Sequence, residues 1–339
     1  MYIFFYALMA TSLFLSRADT QCPVVPSIPR DRREDPKRLR IMQFNTEWLF
    51  IDYYAASDCP GNGCTWKNQT EAETHLKEIQ TIITKLNPDI LNICEIEGCD
   101  ELNQLIRGLS GDYKPYLIKG KDTSTGQNVG MLTKVDPIVD LYRSEERVTY
   151  PIPGSQCGYT GSPLDTGVSK HYITEFSINE IKVALIGAHL IAFPTDPLRC
   201  SEREAQATIL QNVVINYVQK GYEIVVMGDF NDFDSDPLDA NDNKPISKVL
   251  DILRGKTTTE LYLLENSAIN VPKEERYTDW WDKNSDCAST MSEFSMIDHV
   301  LISQGLFGKI SSVSIYHGYQ EFCGKYDSDH FPVIVDFSF

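Results

Sequence analysis

From residue 40 onward, hydrophobic and polar positions fall into two alternating patterns. Short apolar runs rich in β-branched residues predict strands, and longer stretches with apolar positions three and four apart predict helices. Arg40 to Asn45 alternates like a first strand. Leu76, Ile79, Ile83 and Leu86 share one face of a helix that a capping box at Thr70–Glu73 opens and Asn87-Pro88 closes. Ile90 to Ile96 is the next strand, and Asp100–Leu109 the next helix. Strands follow at Tyr113–Ile118, Val129–Thr133, Ile138–Tyr142, Tyr172–Ile178 and Ile181–Ala188, the last two joined by the turn Asn179-Glu180. Tyr150 to Asp165 is rich in Pro, Gly and Ser and reads as a long surface loop. A second capping box at Ser201–Glu204 opens a helix reaching Lys220, with Gly221 just past its end. Ile224 to Val226 is a buried strand ending at Gly228, where the backbone can turn sharply. A short helix over Pro245–Arg254 and strands over Met296–Ile302 and Phe331–Phe337 complete the pattern.

Single polar residues interrupt these strands or close them. Asp229 and Asn231 follow Gly228 two apart, offering a carboxylate and a carboxamide to one small volume, which suits a hydrated cation and a phosphate oxygen, and equally, taken alone, a strand ending in an Asp-rich turn. Glu95 lies within an apolar strand and must be solvated at its end, paired or bound to metal. Asn45 and His189 close strands, where each also fits a purely structural part. The aspartates from Asp229 to Asp242 do not make an EF-hand, because Pro237 and Asn243 fall at its glycine and glutamate positions; a solvated acidic loop is expected. Tyr277–Asp282 is an aromatic, acidic loop suited to lining a cleft or to packing.

The chain has 339 residues, enough for a sizeable core, and a formal net charge of −17. That charge argues against holding nucleic acid chiefly through Lys and Arg, though not against a hydrolase in which a cation bridges the phosphate. Tyr2–Leu15 followed by Ser16-Arg17-Ala18 reads as a signal peptide over residues 1–18, although its n-region lacks a basic residue. Residues 19–39, with Pro23, Pro26, Pro29 and Pro36, form an extended leader ahead of one domain over 40–339. All nine cysteines follow the cut, so disulfides and a secreted, extracellular protein are expected. The odd count leaves at least one thiol unpaired or intermolecular, and Cys94, inside its apolar strand, is the candidate for a free, buried one; Cys59 and Cys64 flank a turn short enough to staple. Asn68-Gln69-Thr70 is a glycosylation sequon.

Taken in order, QFNTEW (43–48), ICEIE (93–97), QNVGMLTK (127–134), GAHL (187–190), GDFND (228–232), IDHVL (297–301) and SDHFPV (328–333) resemble the endonuclease/exonuclease/phosphatase superfamily. That superfamily includes deoxyribonuclease I, abasic-site endonucleases, sphingomyelinases and inositol-polyphosphate phosphatases. The resemblance runs from about residue 40 to the C-terminus. It implies an α/β fold, a four-layered sandwich of two mixed β-sheets packed face to face with helices outside, and an active site at the strand ends.

The resemblance also implies roles. Glu95, with Asn45 and Asp329, would hold a divalent cation, Mg²⁺ in the first instance, with Mn²⁺ or Ca²⁺ as alternatives. His330 would be the general base, with Asp298 fixing its tautomer. His189 would contact the scissile phosphate or protonate the leaving oxygen, and Asp229 and Asn231 would position water and phosphate. Deoxyribonuclease I supports its second histidine with a glutamate; the nearest match here is Gln127, beside Asn128, whose neutral amide would stabilise a protonated His189 less. Secretion favours a nuclease with a nucleic acid substrate. A phospholipid or another phosphodiester substrate is the alternative, and a catalytically dead binding module is a third class. No stable protein partner is implied.

Overall fold

Strands that are apolar on both faces must be covered on both sides. In the computed structural model, which describes residues 22–51, 66, 68–257, 264–319 and 327–339, two mixed sheets meet this demand. The six-stranded sheet runs, edge to edge, Ile310–Ile315, Val333–Ser338, Arg38–Leu49, Ile90–Ile96, Asn128–Thr133 and Lys114–Leu117. The five-stranded sheet runs Leu264–Asn266, Asp298–Ser303, Glu223–Asp229, Ile181–His189 and Lys170–Ile178. Alternate residues of each strand point to opposite faces. Ile41, Met131, Phe176, Leu185, Val225, Val300 and Val335 fill the space between the sheets. On the outer face of the first sheet, Phe44, Leu91 and Ile93 meet Leu76, Ile79 and Ile83 of the helix Gln69–Leu86. On the outer face of the second, Ile186, Ile224 and Val226 meet Ala207, Leu210 and Val214 of the helix Pro197–Gln219. These are the four layers expected from the resemblance.

Several local expectations are corrected. The first long helix is capped by Asn68, whose side chain accepts from the Glu71 amide at 3.1 Å, so Thr70 lies inside it. The helix expected from Ser201 begins at Pro197, capped by Asp196. Ser201 and Glu204 are buried inside it, so the cap-like spacing there is a packing feature. Residues 138–142 are not a strand; they touch the edge strand through the Ile138 and Tyr142 backbones, while Thr174 Oγ1 takes the Val139 carbonyl. The loop over 150–165 is bounded by a small ribbon, Val148–Tyr150 against Leu164–Thr166. The strand at Asp229 does not turn at Gly228. A Cβ on Gly228 would sit 1.8 Å from the Ala188 carbonyl oxygen of the neighbouring strand, so the glycine permits close strand approach.

The acidic stretch after Asp229 is not a solvated loop. Asp232 is fully buried against Arg203 at 3.0 Å, Asp234 is buried against Arg254 at 3.0 Å, and Asp239 accepts from the Asn241 and Asn243 amides. Among the described residues, disulfides join Cys22 to Cys99 and Cys157 to Cys200, and Cys94 is the free, buried thiol. The first ties the extended leader to the body, where Arg32 also pairs with Asp136 at 2.7 Å. Residues 1–18 and the Cys59–Cys64 turn lie outside the described residues. No helix among the described residues is long and apolar enough to cross a membrane.

Candidate active site

The carboxyl ends of the parallel strands and the amino ends of their antiparallel neighbours meet at one end of the sandwich. In the five-stranded sheet, register places Lys170 opposite His189, His189 opposite Asp229 and Asp229 opposite Asp298. Four polar side chains thus form one row across four strands, on the face that elsewhere carries Tyr172, Leu185, Met227 and Val300. The six-stranded sheet supplies the facing groups. Asn45 Nδ2 donates to Glu95 Oε1 at 3.2 Å and to Asp229 Oδ2 at 3.0 Å, joining the two sheets.

Glu95 reaches the site through an irregularity. In a regular strand it would point away from Cys94, toward the helices. The register between the Asn45 and Glu95 strands slips after Asn45, and Glu95 has φ +66°. Glu47 and Trp48, on the facing strand, also have positive φ, as does Asn231. Non-glycine residues in the left-handed region are uncommon and concentrate where structure over-determines them. The strain here re-aims the carboxylate, whose second oxygen accepts from the Trp48 amide at 3.1 Å.

The remaining groups close around this row. His330 Nδ1 bonds Asp298 Oδ2 at 2.7 Å, and Gln43 Nε2 holds Asp298 Oδ1 at 3.0 Å from below. Asn92 supports that amide in turn, donating to Gln43 Oε1 at 2.5 Å. His330 Nε2 faces Asp279 Oδ1 at 3.7 Å and Asp329 Oδ1 at 3.9 Å. Lys170 Nζ lies 3.4 Å from His189 Nε2, 3.2 Å from Gln127 Oε1 and 3.8 Å from Asp122. Burial and the Lys170 ammonium hold His189 well below the ordinary histidine range, so its ring is neutral. Burial alone would lower His330 too, but the Asp298, Asp329 and Asp279 carboxylates outweigh it and raise the imidazole well above its usual value. Burial, with neighbouring carboxylates, raises Asp229 to about 8, Asp329 to about 7 and Asp279 to about 6.

A sequence profile of the endonuclease/exonuclease/phosphatase family matches residues 42–330, which takes in every group named above. The chain belongs to the endonuclease/exonuclease/phosphatase family. Solved structures share its fold at low identity. TDP2 from C. elegans is 17% identical with a TM-score of 0.51, covering 91% of this chain and 77% of that one. A mannosyl-6-phosphatase from Bacteroides thetaiotaomicron is 16% identical with a TM-score of 0.53, covering 89% and 100%. An endonuclease/exonuclease/phosphatase family protein from the same organism is 15% identical with a TM-score of 0.54, covering 93% and 97%. Comparison with curated proteins gives no match.

The donor set of this family member fits a divalent cation. Ligand atoms of Glu95, His189 and Asp229 lie within 4.8 Å of one another, as do those of Asp229, Asp298 and His330, and those of Asp279, Asp329 and His330. Asp329 Oδ1 is buried with no hydrogen-bond partner. Oxygen donors around concentrated negative charge suit a hard cation. Of the residues expected from sequence, Asn45, Glu95, His189, Asp229, Asp298, Asp329 and His330 converge here. Asn231 lies at the edge, its Nδ2 donating to the Leu190 carbonyl and its amide to Asp229 Oδ1. Gln127 reaches the site through Lys170. Asn128 does not; its side chain bonds Gly120 N, the Glu97 carbonyl and the Gly126 carbonyl, and so staples the neighbouring loop. Asn68 is an exposed helix cap on the helix layer.

Sequence reasoning missed Lys170, Asp279 and Gln43. Lys170 sits two residues before the expected strand at Tyr172 and reads as a strand-end charge. Asp279 lay within the aromatic loop already noted, and only its backbone bridge to His330 brings it to the site.

Proposed function

We propose that the protein is a secreted, divalent-cation-dependent phosphodiester hydrolase whose substrate is nucleic acid. The observation that carries the chemistry is the pair Asp298–His330, at 2.7 Å, with the second ring nitrogen directed at the carboxylates of Asp279 and Asp329. His330 Nδ1–H donates to Asp298, which fixes the tautomer; the facing carboxylates favour the imidazolium, so Nε2 takes a proton from the attacking water only after losing its own. Asp229 and Asn45 orient that water and the phosphate. Glu95, Asp329 and Asn45 would hold the cation, Mg²⁺ being the ion that oxygen donors and retained waters suit; bound there it would supply positive charge against the phosphorus oxygens.

His189 is neutral and accepts from Lys170, so the proposed part for it is phosphate contact rather than proton donation. Lys170 is the fixed positive charge nearest His189 and supplies the electrostatic complement that Gln127 alone does not. Secretion is supported by the two disulfides, and glycosylation at Asn68 by its exposed position.

The test is incubation of the purified mature protein with Mg²⁺ and plasmid DNA, RNA, sphingomyelin or an aryl phosphodiester. Nucleic acid should be cut, and EDTA should stop the reaction. Release of phosphocholine with nucleic acid left intact would replace this substrate with a phospholipid. Turnover of phosphomonoesters alone would overturn the phosphodiesterase reading.

A further inference from the structure

One guanidinium bonds four consecutive carbonyls of the loop that leaves His189. Arg203 is fully buried, with Nε on Asp232 Oδ2 at 3.0 Å. Its Nη1 bonds the carbonyls of Ile191, Ala192 and Phe193 at 3.1, 3.3 and 3.0 Å, and its Nη2 bonds that of Pro194 at 2.9 Å. The loop starts at Leu190, whose amide donates to the Asp229 carbonyl, and it ends at Asp196, the cap of the long helix. Both ends and four consecutive carbonyls are therefore fixed.

On this pinned loop Phe193 has φ +69° and is 56% exposed. A glycine would adopt that backbone without strain, and a polar side chain would meet water at lower cost. With more than half of its surface exposed, Phe193 recovers little of either cost by packing. A second exposed ring lies two residues beyond Asp279, as Phe193 lies four beyond His189. Asp279 faces His330, the Trp280 amide donates to the Asp329 carbonyl, and Trp281, next in the chain, is 63% exposed.

We infer that Phe193 and Trp281, on the segments that follow His189 and Asp279, are stacking platforms for the unpaired bases of single-stranded nucleic acid, an inference that rests on the nuclease reading above. Base faces are planar and apolar, and an isolated ring held on a rigid loop can stack on one without a surrounding apolar patch. A membrane suits these rings less. Phe193 sits between Ala192 and Pro194, but Asp196 follows three residues on, and Asp282 and Lys283 follow Trp281, so inserting either ring into lipid would carry charge with it. With a net charge of −17, the chain has little electrostatic hold on a phosphate backbone, and stacking provides affinity that does not depend on charge.

The experiment compares an end-labelled single-stranded oligonucleotide with an oligomer of the same length made of abasic tetrahydrofuran units. The wild-type enzyme should prefer the base-containing strand. Phe193→Gly should lower kcat/KM on that strand by about tenfold, chiefly through KM, with the abasic oligomer cut as by wild type. Phe193→Tyr should keep the wild-type preference, and Trp281→Ala should lower it. Because Phe193→Gly relieves a left-handed backbone, its melting temperature should not fall, which separates a lost platform from a damaged fold. Equal cutting of both strands by wild type, or equal losses on both in Phe193→Gly, would overturn stacking while leaving the nuclease reading intact. Failure to cut either strand while plasmid DNA is cut would overturn the stacking inference alone; failure on every nucleic acid, with or without hydrolysis of sphingomyelin, would overturn both.

Discussion

His330 is flanked on both ring nitrogens. Asp298 and Gln43 fix one side of the ring, and Asp279 and Asp329 face the other. If His330 and Asp298 act as one base, their losses should not multiply. His330→Ala is expected to lose between about a hundredfold and ten-thousandfold in turnover while substrate still binds. Asp298→Asn should also be slow, since the amide removes the charge and permits the wrong tautomer. The double variant should be little worse than His330→Ala. Turnover of the two singles and the double on a cleavable phosphodiester decides it; multiplied losses, or a His330→Ala enzyme within about tenfold of wild type, would place the base elsewhere.

At the scale of the element, the strand Lys170–Ile178 does two jobs with neighbouring residues. Lys170 faces the site, and His171, next along, points to the opposite face. There Nδ1–H donates to the Val168 carbonyl at 2.9 Å and Nε2 accepts from the Ser144 amide at 2.9 Å. The second bond requires the neutral ring, because only an unprotonated Nε2 accepts. Burial, aided by the Arg143 and Lys121 charges and opposed by Glu145, lowers His171 to about 3. The unfolded chain therefore binds a proton that the fold refuses, so stability falls as pH drops from about 6.5 toward about 3. Between pH 7 and pH 5 the wild type should lose about 2 kcal/mol that His171→Gln does not. Denaturant unfolding of both proteins at the two pH values measures this. A constant difference between them would mean that His171 titrates normally.

In the whole molecule, closing two sheets face to face confines several carboxylates to one end. Burial raises Asp229 to about 8 and Asp329 to about 7, so the fold binds protons that the unfolded chain releases. In the metal-free protein this contribution to stability is present at low pH and is lost as pH rises from about 4 through about 8. A divalent cation would replace those protons. Mg²⁺ should then raise the melting temperature, more at pH 8 than at pH 5, by the equivalent of about 2.7 kcal/mol at a hundredfold excess over Kd. Glu95→Gln should remove most of the shift. Thermal melts with and without Mg²⁺ at the two pH values test it, and a shift independent of pH would argue against these carboxylates as ligands.

The layers were legible in the chain because a buried strand and an amphipathic helix need apolar residues at their own periods, and Ile90–Ile96, Ile181–His189 and Glu223–Asp229 supply them. The polar residues that break those runs were equally visible, since burying Asn45, Glu95, Asp229 or Asp298 demands a partner. Helix starts were less legible: an inward-facing Ser201 and Glu204 share the spacing of a cap, and only packing tells the two apart. The acidic stretch misled for a related reason, because Asp232 and Asp234 are neutralised by Arg203 and Arg254, far along the chain. Lys170 and Asp279 could not be read from the sequence at all. A charge at a strand end is ordinary until sheet register sets it opposite His189, or a backbone bridge sets it beside His330. Composition and periodicity determined which segments are buried; which polar groups meet there was decided by strand register and by the bulge at Glu95, because those contacts join residues with no shared local pattern.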